Sequence, residues 1–278
     1  MVFTILVLIK ENELVKELRL TGVIRVLEKG GSTKPLLVEA EDEKGRVSQY
    51  VVKLYSHDFS VNHYVVGKEI LINELAREFN LTTPEYAVID LDHEILREHY
   101  SPQMFGRFHI GYKFCSEFME GWVLYADLKS SILNQYDIEN VFAFDNMIVN
   151  VDRGGRRNKP NLLVNDEELL LIDHEQGLTF FNSLMPDNID YKQVFNSYQF
   201  HLHIFYRNLK SRRKNKAHLF DEFVENLRFL DFSFLDDLYE AFDKYGINCG
   251  EKNTIFAYLN WCKVNSHYIQ KKLLERVA

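Results

Sequence analysis

A chain of 278 residues with 46% apolar and 27% charged side chains can bury a substantial core, which argues against both a disordered and a membrane-spanning chain. Its net charge of −8 argues against a general nucleic-acid-binding surface, which is normally basic. Three cysteines, Cys115, Cys249 and Cys262, form no CxxC pair, so a reducing, cytoplasmic setting is expected rather than a disulfide scaffold or a zinc site.

Residues 2–9 are apolar except for Thr4, with no basic residue ahead of them and acidic residues soon after. A signal peptide carries a positive leading region and a small-residue cleavage site, and a membrane helix needs about 20 apolar residues, so a buried strand is expected here. Runs rich in Val, Ile, Leu or Tyr at 23–27, 36–41, 47–55 and 85–91 predict strands, with turns at Gly30-Gly31 and 43–45. Residues 67–80 (GKEILINELAREFN) carry apolar side chains at 70, 71, 75 and 79, which is helical spacing. Thr83-Pro84 then fits a helix stop, because a residue before proline avoids the α region. Residues 108–119 predict one more strand, leading to a crossing segment at Glu120-Gly121. Beyond 121 the pattern turns helical: 126–134, 138–150, the amphipathic stretches 220–229 and 235–244, and a terminal helix or helix pair over 253–277. The expected architecture is α+β, with a strand-rich lobe over 1–120 that carries one helix and a mainly helical lobe over 121–278. A ligand cleft is expected between them, since such crevices are preferred cofactor sites.

Chemistry concentrates in residues 141–173. An apolar helix-like run ends in Asn150-Val151-Asp152-Arg153, a Gly/Arg/Lys loop follows, and Asn161 opens a short apolar run. A polar turn over 165–168 leads into a second apolar run that stops at Asp173. Asp152, Asn161 and Asp173 therefore sit at the ends of an expected β-hairpin. Phosphoryl transfer needs such a set: a carboxylate near the acceptor hydroxyl, plus an amide and a second carboxylate on Mg²⁺. Alone, Asp152 also reads as a turn residue capping its loop. Asp145, seven residues earlier, is either a helix-face residue or a hydrogen-bonding support for the loop. Asp173 is followed by His174 and Glu175; His174 reads better as a loop-packing histidine than as an acid/base. Gly30, Gly31, Ser32 and Thr33 lie between two strand-like runs, as a phosphate cradle or simply a hairpin tip. Lys53 interrupts the apolar run Val51-Val52-Lys53-Leu54-Tyr55, either facing solvent on an edge or pointing toward phosphates with Glu69, Glu74 or Glu78 as helix partner.

Together, NVDR, NKPN-LLV and LLLIDHE resemble the catalytic and metal-binding loops of HipA-like kinases, closest to the small bacterial HipA-like kinase-domain proteins. GGSTKPLLVEA…YVVKLY and INELAREFNLTTPE resemble the same family's phosphate loop, strand lysine and Asn-Glu helix, in the expected order. The resemblance covers roughly residues 20–180 and implies a bilobed protein-kinase-like fold. It implies Asp152 as catalytic base, Asn161 and Asp173 as Mg²⁺ ligands, Lys53 on the ATP phosphates and Glu74 as the lysine's partner. Gly30, Gly31, Ser32 and Thr33 would cover the phosphates, and the backbone of Glu117, Phe118 and Met119 would meet adenine. The implied activity is ATP-dependent phosphorylation of a protein serine or threonine, the kinase itself being one candidate substrate. Thr179, Ser183 and Ser197 lie downstream of Asp173 and are candidate autophosphorylation sites. The phosphatidylinositol 4-kinases have a related layout, which keeps a lipid or small-molecule acceptor open, and a nucleotide-binding pseudokinase is a further alternative. Against the pseudokinase stands the intact set of Lys53, Asp152, Asn161 and Asp173. Asn161 lies four residues farther from Asp152 than the Asp-plus-five spacing of many kinases, which makes Asn158 a rival ligand; Asn161 is favoured because the strand begins right after it. Glu175 stands where relatives tend to have glycine. Lys210, Arg212, Arg213, Lys214 and Lys216 form a basic cluster, expected to be a solvated helix end. Neither direct nucleic-acid binding nor stable membrane association is expected.

Overall fold

In the computed structural model, residues 13–27, 34–125, 130–133, 135–154, 159–212 and 216–278 are described. The expected strand at 2–9, the loop Gly30 to Thr33, the rival ligand Asn158, and Arg213 and Lys214 lie outside them.

Five strands close a barrel: β1 (Lys16–Val26), β2 (Leu36–Glu41), β3 (Val47–Val52), β4 (Tyr86–Ile89) and β5 (Lys113–Glu117), in spatial order β1-β2-β3-β5-β4. Neighbours run antiparallel except β1 and β4, whose parallel pairing (Lys16↔Ala87 to Leu18↔Ile89) seals the sheet. β2 alternates in a way a barrel wall requires, with Leu36, Val38 and Ala40 fully buried inside. These residues, with Val52, Ala87, Ile89 and Cys115, make the barrel's own core. β1 starts seven residues before the predicted strand, because its first seven residues, KELRLTG, space apolar side chains among polar ones on a half-exposed wall and show no apolar run. The predicted strand over 108–119 is shorter than expected. Phe108 to Gly111 instead turn, His109 N–H bonding Tyr55 O at 2.9 Å and Gly111 adopting φ +98°, before β5 begins.

Between β3 and β4 run α1 (His57–His63), capped by Ser56 Oγ, and α2 (Val65–Glu78). α3 (His93–His99) and α4 (Pro102–Phe105) link β4 to β5. α2 is buried on all sides from Val65 to Ala76, which suits a helix wedged between two bodies. Phe79 at its end stacks on Phe223 (centroids 5.0 Å) and tilts against Phe144 (5.6 Å).

The chain then passes through β6 (Val123–Leu124), α5 (Ser130–Leu133) and α6 (Ile138–Met147) into the hairpin β7 (Leu162–Val164) and β8 (Leu169–Leu171). β6, β7 and β8 form a small antiparallel sheet. Helices α7 (Tyr191–Ser197), α8 (Tyr206–Ser211), α9 (Asp221–Phe229), α10 (Phe234–Tyr245), α11 (Lys252–Val264) and α12 (Ser266–Val277) follow. The terminal stretch is thus a helix pair, broken at Asn265 (φ −99°, ψ 23°). The larger core joins α2 residues such as Ile70 and Leu75 to Phe142, Phe144, Leu227 and Leu259, so it runs across residue 120. Among the described residues no helix is long and apolar enough to cross a membrane.

Candidate active site

The hairpin ends where the expected site residues lie. Leu162 pairs with Leu171, and Ile172 N–H bonds Asn161 O at 3.2 Å, so Asn161 and Asp173 leave the same end of the ladder. Asn165 Oδ1 accepts from Glu167 and Glu168 N–H at 2.8 Å each and closes the opposite turn. Both site residues adopt left-handed backbone, Asn161 at φ 46° and Asp173 at φ 60°, a conformation that asparagine and aspartate tolerate better than other side chains. Of seven described non-glycine residues with positive φ, four (Val149, Asn161, Asp173 and Leu178) lie between 149 and 178. Backbone strain of this kind clusters at functional sites.

Asp152 faces Asn161, whose Nδ2 donates to Asp152 Oδ2 at 3.1 Å. With its nitrogen engaged, the Asn161 amide keeps its oxygen as a hard donor, and the Asp173 carboxylate is one-third exposed (35%). These two oxygens fit the preference of Mg²⁺ for one or two protein ligands plus substrate phosphates.

The loop carrying Asp152 rests on a buried network that begins with Asp145 on α6. Asp145 accepts Arg153 Nε at 2.5 Å, Asn150 Nδ2 at 2.8 Å and His203 Nε2 at 3.0 Å, as befits a support of the loop. Arg153 also donates through Nη1 to the carbonyl of Asn161, tying the Asp152 and Asn161 segments together. The Arg153 guanidinium, aided by hydrogen bonds from His203 and Asn150, holds the Asp145 carboxyl below its ordinary range despite burial. His203 Nδ1 accepts from Phe205 N–H at 3.1 Å, which leaves Nε2 as the donor to Asp145 and fixes the neutral tautomer. Burial pushes its pKa down. Gly154 (φ +99°) lets the loop press on the next segment: a Cβ there would meet Leu202 O at 2.6 Å.

Lys53 follows β3, its N–H bonding Phe114 O at 3.0 Å, and its side chain is buried. Its ammonium donates to Glu69 and Asp173 and lies 3.5 Å from Glu175. Glu69, not Glu74, is therefore the helix partner. The two positions differ by five residues, about 140° around α2. Glu74 faces away, bonding Arg77 at 2.9 Å and Tyr86 OH at 2.7 Å. Glu69 is further fixed by Tyr55 OH at 2.8 Å and His174 N–H at 3.0 Å. Lys53 holds the Glu69 carboxyl down to about 2, against the opposing effect of burial. Burial, with Glu69 and Asp173 close by, pushes Glu175 up to about 8. Glu69, Asp173 and Glu175 present oxygens within 4.8 Å of one another. His174 is fully buried beside the smaller cavity, its ring nitrogens without a partner among the described residues, and burial lowers it to about 4.

Two cavities flank the hairpin end. The first, about 700 Å³, is lined by Lys53, Glu69, Asn161 and Asp173, and on its apolar side by Phe118, Met119, Trp122 and Leu163. In the Glu117–Met119 segment, Glu117 N–H is spent on Glu85 O (2.7 Å) and Phe118 N–H on Gln49 O (2.8 Å), so the Met119 N–H is the donor left for a ligand among the described residues. The second cavity, about 820 Å³, is lined by Asp152, Glu175, Arg107, Thr179, Ser197 and apolar walls from Leu54 to Leu202. The basic cluster lies apart: Arg212 pairs with Glu139, and Lys216 donates to the Lys210 and Val277 carbonyls.

Sequence reasoning passed over three contributors. His203 lies 58 residues from Asp145, and only the fold joins them. Tyr55 was legible only as an apolar strand residue. Lys159 sat in a polar loop without any distinguishing pattern.

A family model described as HipA-like kinase matches residues 21–228, farther than the resemblance extended. Among solved structures, a Helicobacter pylori proinflammatory kinase, CtkA, is 11% identical with a TM-score of 0.37, covering 87% of this chain and 92% of that one. The FAT and kinase domain of CtTel1 is 13% identical with a TM-score of 0.29, covering 90% of this chain and 21% of that chain. A search of curated proteins returned no match.

Proposed function

The chain belongs to the HipA-like kinase family, and on that premise we propose that it transfers the γ-phosphoryl group of ATP to a serine or threonine hydroxyl of a protein. One observation carries the reading: Asp152 opens onto one cavity, Lys53, Asn161 and Asp173 line the other, and the hairpin end lies between them.

In this reading the smaller cavity takes the nucleotide. Phe118, Met119, Trp122 and Leu163 supply an apolar slot for adenine, with Met119 N–H as donor, and Lys53, steadied by Glu69, meets the phosphates. Asn161 and Asp173 would hold Mg²⁺, which when bound neutralises phosphate charge. The acceptor enters the larger cavity, where Asp152 orients its hydroxyl and takes the proton as the oxygen attacks phosphorus. Arg153 and Asp145 keep Asp152 and Asn161 in register by pinning both ends of the loop. The mixed polar and apolar lining of the larger cavity suits a side chain presented on an extended segment. The test is transfer from γ-labelled ATP with Mg²⁺ into a cell lysate, with protein and lipid fractions separated. Label in protein hydrolysing to phosphoserine or phosphothreonine is expected; label confined to lipid or small molecules overturns the acceptor, and no transfer overturns the activity.

A further inference from the structure

Lys159 lines both cavities, and among the described residues it is the one residue that does. Its backbone is fixed. Lys159 N–H bonds Gly154 O at 3.0 Å, Gly154 N–H returns to Lys159 O at 2.5 Å, and Pro160 follows. Its ammonium is not fixed. The nearest acid is Asp152 Oδ2 at 3.9 Å, the outer limit of an ion pair, and the side chain is one-third exposed (34%). A backbone position held by two hydrogen bonds thus carries a cation on a long stem beside both cavities, near Asp152 and two positions before Asn161.

We propose, resting on the reading above, that Lys159 is a catalytic residue that holds the γ-phosphoryl group as it crosses from the nucleotide cavity to the acceptor cavity. The acceptor oxygen forms its bond to phosphorus while the bond from phosphorus to the ADP oxygen breaks, and the hydroxyl proton passes to Asp152. Lys159 exchanges no proton. Its ammonium follows the non-bridging oxygens, where charge spreads during transfer, and a donor aimed at such charge in a partly dry site contributes far more than the same contact in water. The competing account is a surface ion pair with Asp152, which at 3.9 Å would contribute almost nothing. Lys53 does not duplicate the role, because its ammonium is committed to Glu69, Asp173 and Glu175 and it borders the nucleotide cavity alone.

Two measurements on the full chain test this. The first is turnover with Mg-ATP for wild type, Lys159→Met and Lys159→Arg. We expect kcat to fall by about 10²-fold or more in Lys159→Met, as for loss of one oxyanion donor, with partial recovery in Lys159→Arg. The second is calorimetric binding of ADP and of the β,γ-imido analogue of ATP, each with Mg²⁺. The methionine variant should lose the preference for the triphosphate and keep its ADP affinity. Unchanged kcat, or equal losses for both nucleotides, overturns the role. If wild type transfers no phosphate, the kinase reading fails and the nucleotide comparison alone decides Lys159. Wild type binding neither nucleotide overturns both. Melting temperatures of the variants guard against misfolding, which would lower ADP binding as well.

Discussion

Two clusters of buried charge flank the hairpin, and they differ in balance. Beneath the Asp152 loop, Asp145 and Arg153 neutralise each other, and His203 stays neutral between Asp145 and the Phe205 amide. Around Lys53, three carboxylates converge on one ammonium, and one of them, Glu175, is pushed toward its neutral form. The first cluster is balanced in charge without a ligand, although Arg153 Nη2 is buried without a partner among the described residues, and it holds the backbone. The second carries surplus negative charge beside a cavity, the arrangement that a divalent cation and a polyphosphate rearrange on binding. Burial alone does not single out a candidate binding site; a mismatch in charge count beside a cavity does.

The comparison breaks most sharply at Asp152, which belongs to the balanced side by backbone and to the open side by chemistry. Asp152→Asn should lower phosphoryl transfer by about 10²- to 10⁴-fold, the range for loss of a general base, while calorimetric nucleotide affinity stays near that of wild type; equal turnover would show that Asp152 is not the base. Asp145→Asn attacks the balanced cluster by leaving Arg153 a buried charge without its partner, and should cost about 3–5 kcal/mol of unfolding free energy in urea. A loss below about 1 kcal/mol would mean that the network is not what supports the loop.

A pH series sharpens the contrast further. Because the folded His203 pKa lies below that of the unfolded chain, the unfolded state takes up the proton first as pH falls. The stability that the neutral ring contributes is present above the ordinary histidine range and lost below it, at up to about 1.4 kcal/mol per pH unit. Wild-type stability should fall more steeply from pH 7 to 5 than that of His203→Gln, in which no proton can add at this position; parallel curves would assign the acid sensitivity elsewhere. The smallest effect is expected at Glu175. Glu175→Gln removes one competitor for Lys53 and should tighten Mg-nucleotide binding roughly three- to tenfold, the equivalent of one hydrogen bond. Weaker binding would instead make Glu175 part of the cation site.

Much of this was legible before the fold was known, for local reasons. β2 matches its predicted limits because its apolar residues form one short run between turn signals, and the hairpin ends announced themselves as Asn161 and Asp173. The choice among Glu69, Glu74 and Glu78 was not legible, since it depends on the rotational setting of α2, which Tyr55, Tyr86 and the surrounding core impose. The first half of β1 escaped because a wall with one wet face spaces its apolar residues among charges. Asp145 was readable as a loop support, but its partner His203 was not, for no local pattern joins residues 58 apart.

The left-handed backbone at Val149, Asn161 and Asp173 carries a consequence for laboratory evolution. Each side chain there is kept against a conformational cost that glycine would not bear, on the order of 1 kcal/mol for ordinary residues and least for asparagine and aspartate. Val149 is buried, and losing its side chain would cost more than the strain relieved. A library screened only for heat resistance should therefore drift toward glycine at Asn161 and Asp173, where each survivor would be a sturdier protein that has forgotten its trade.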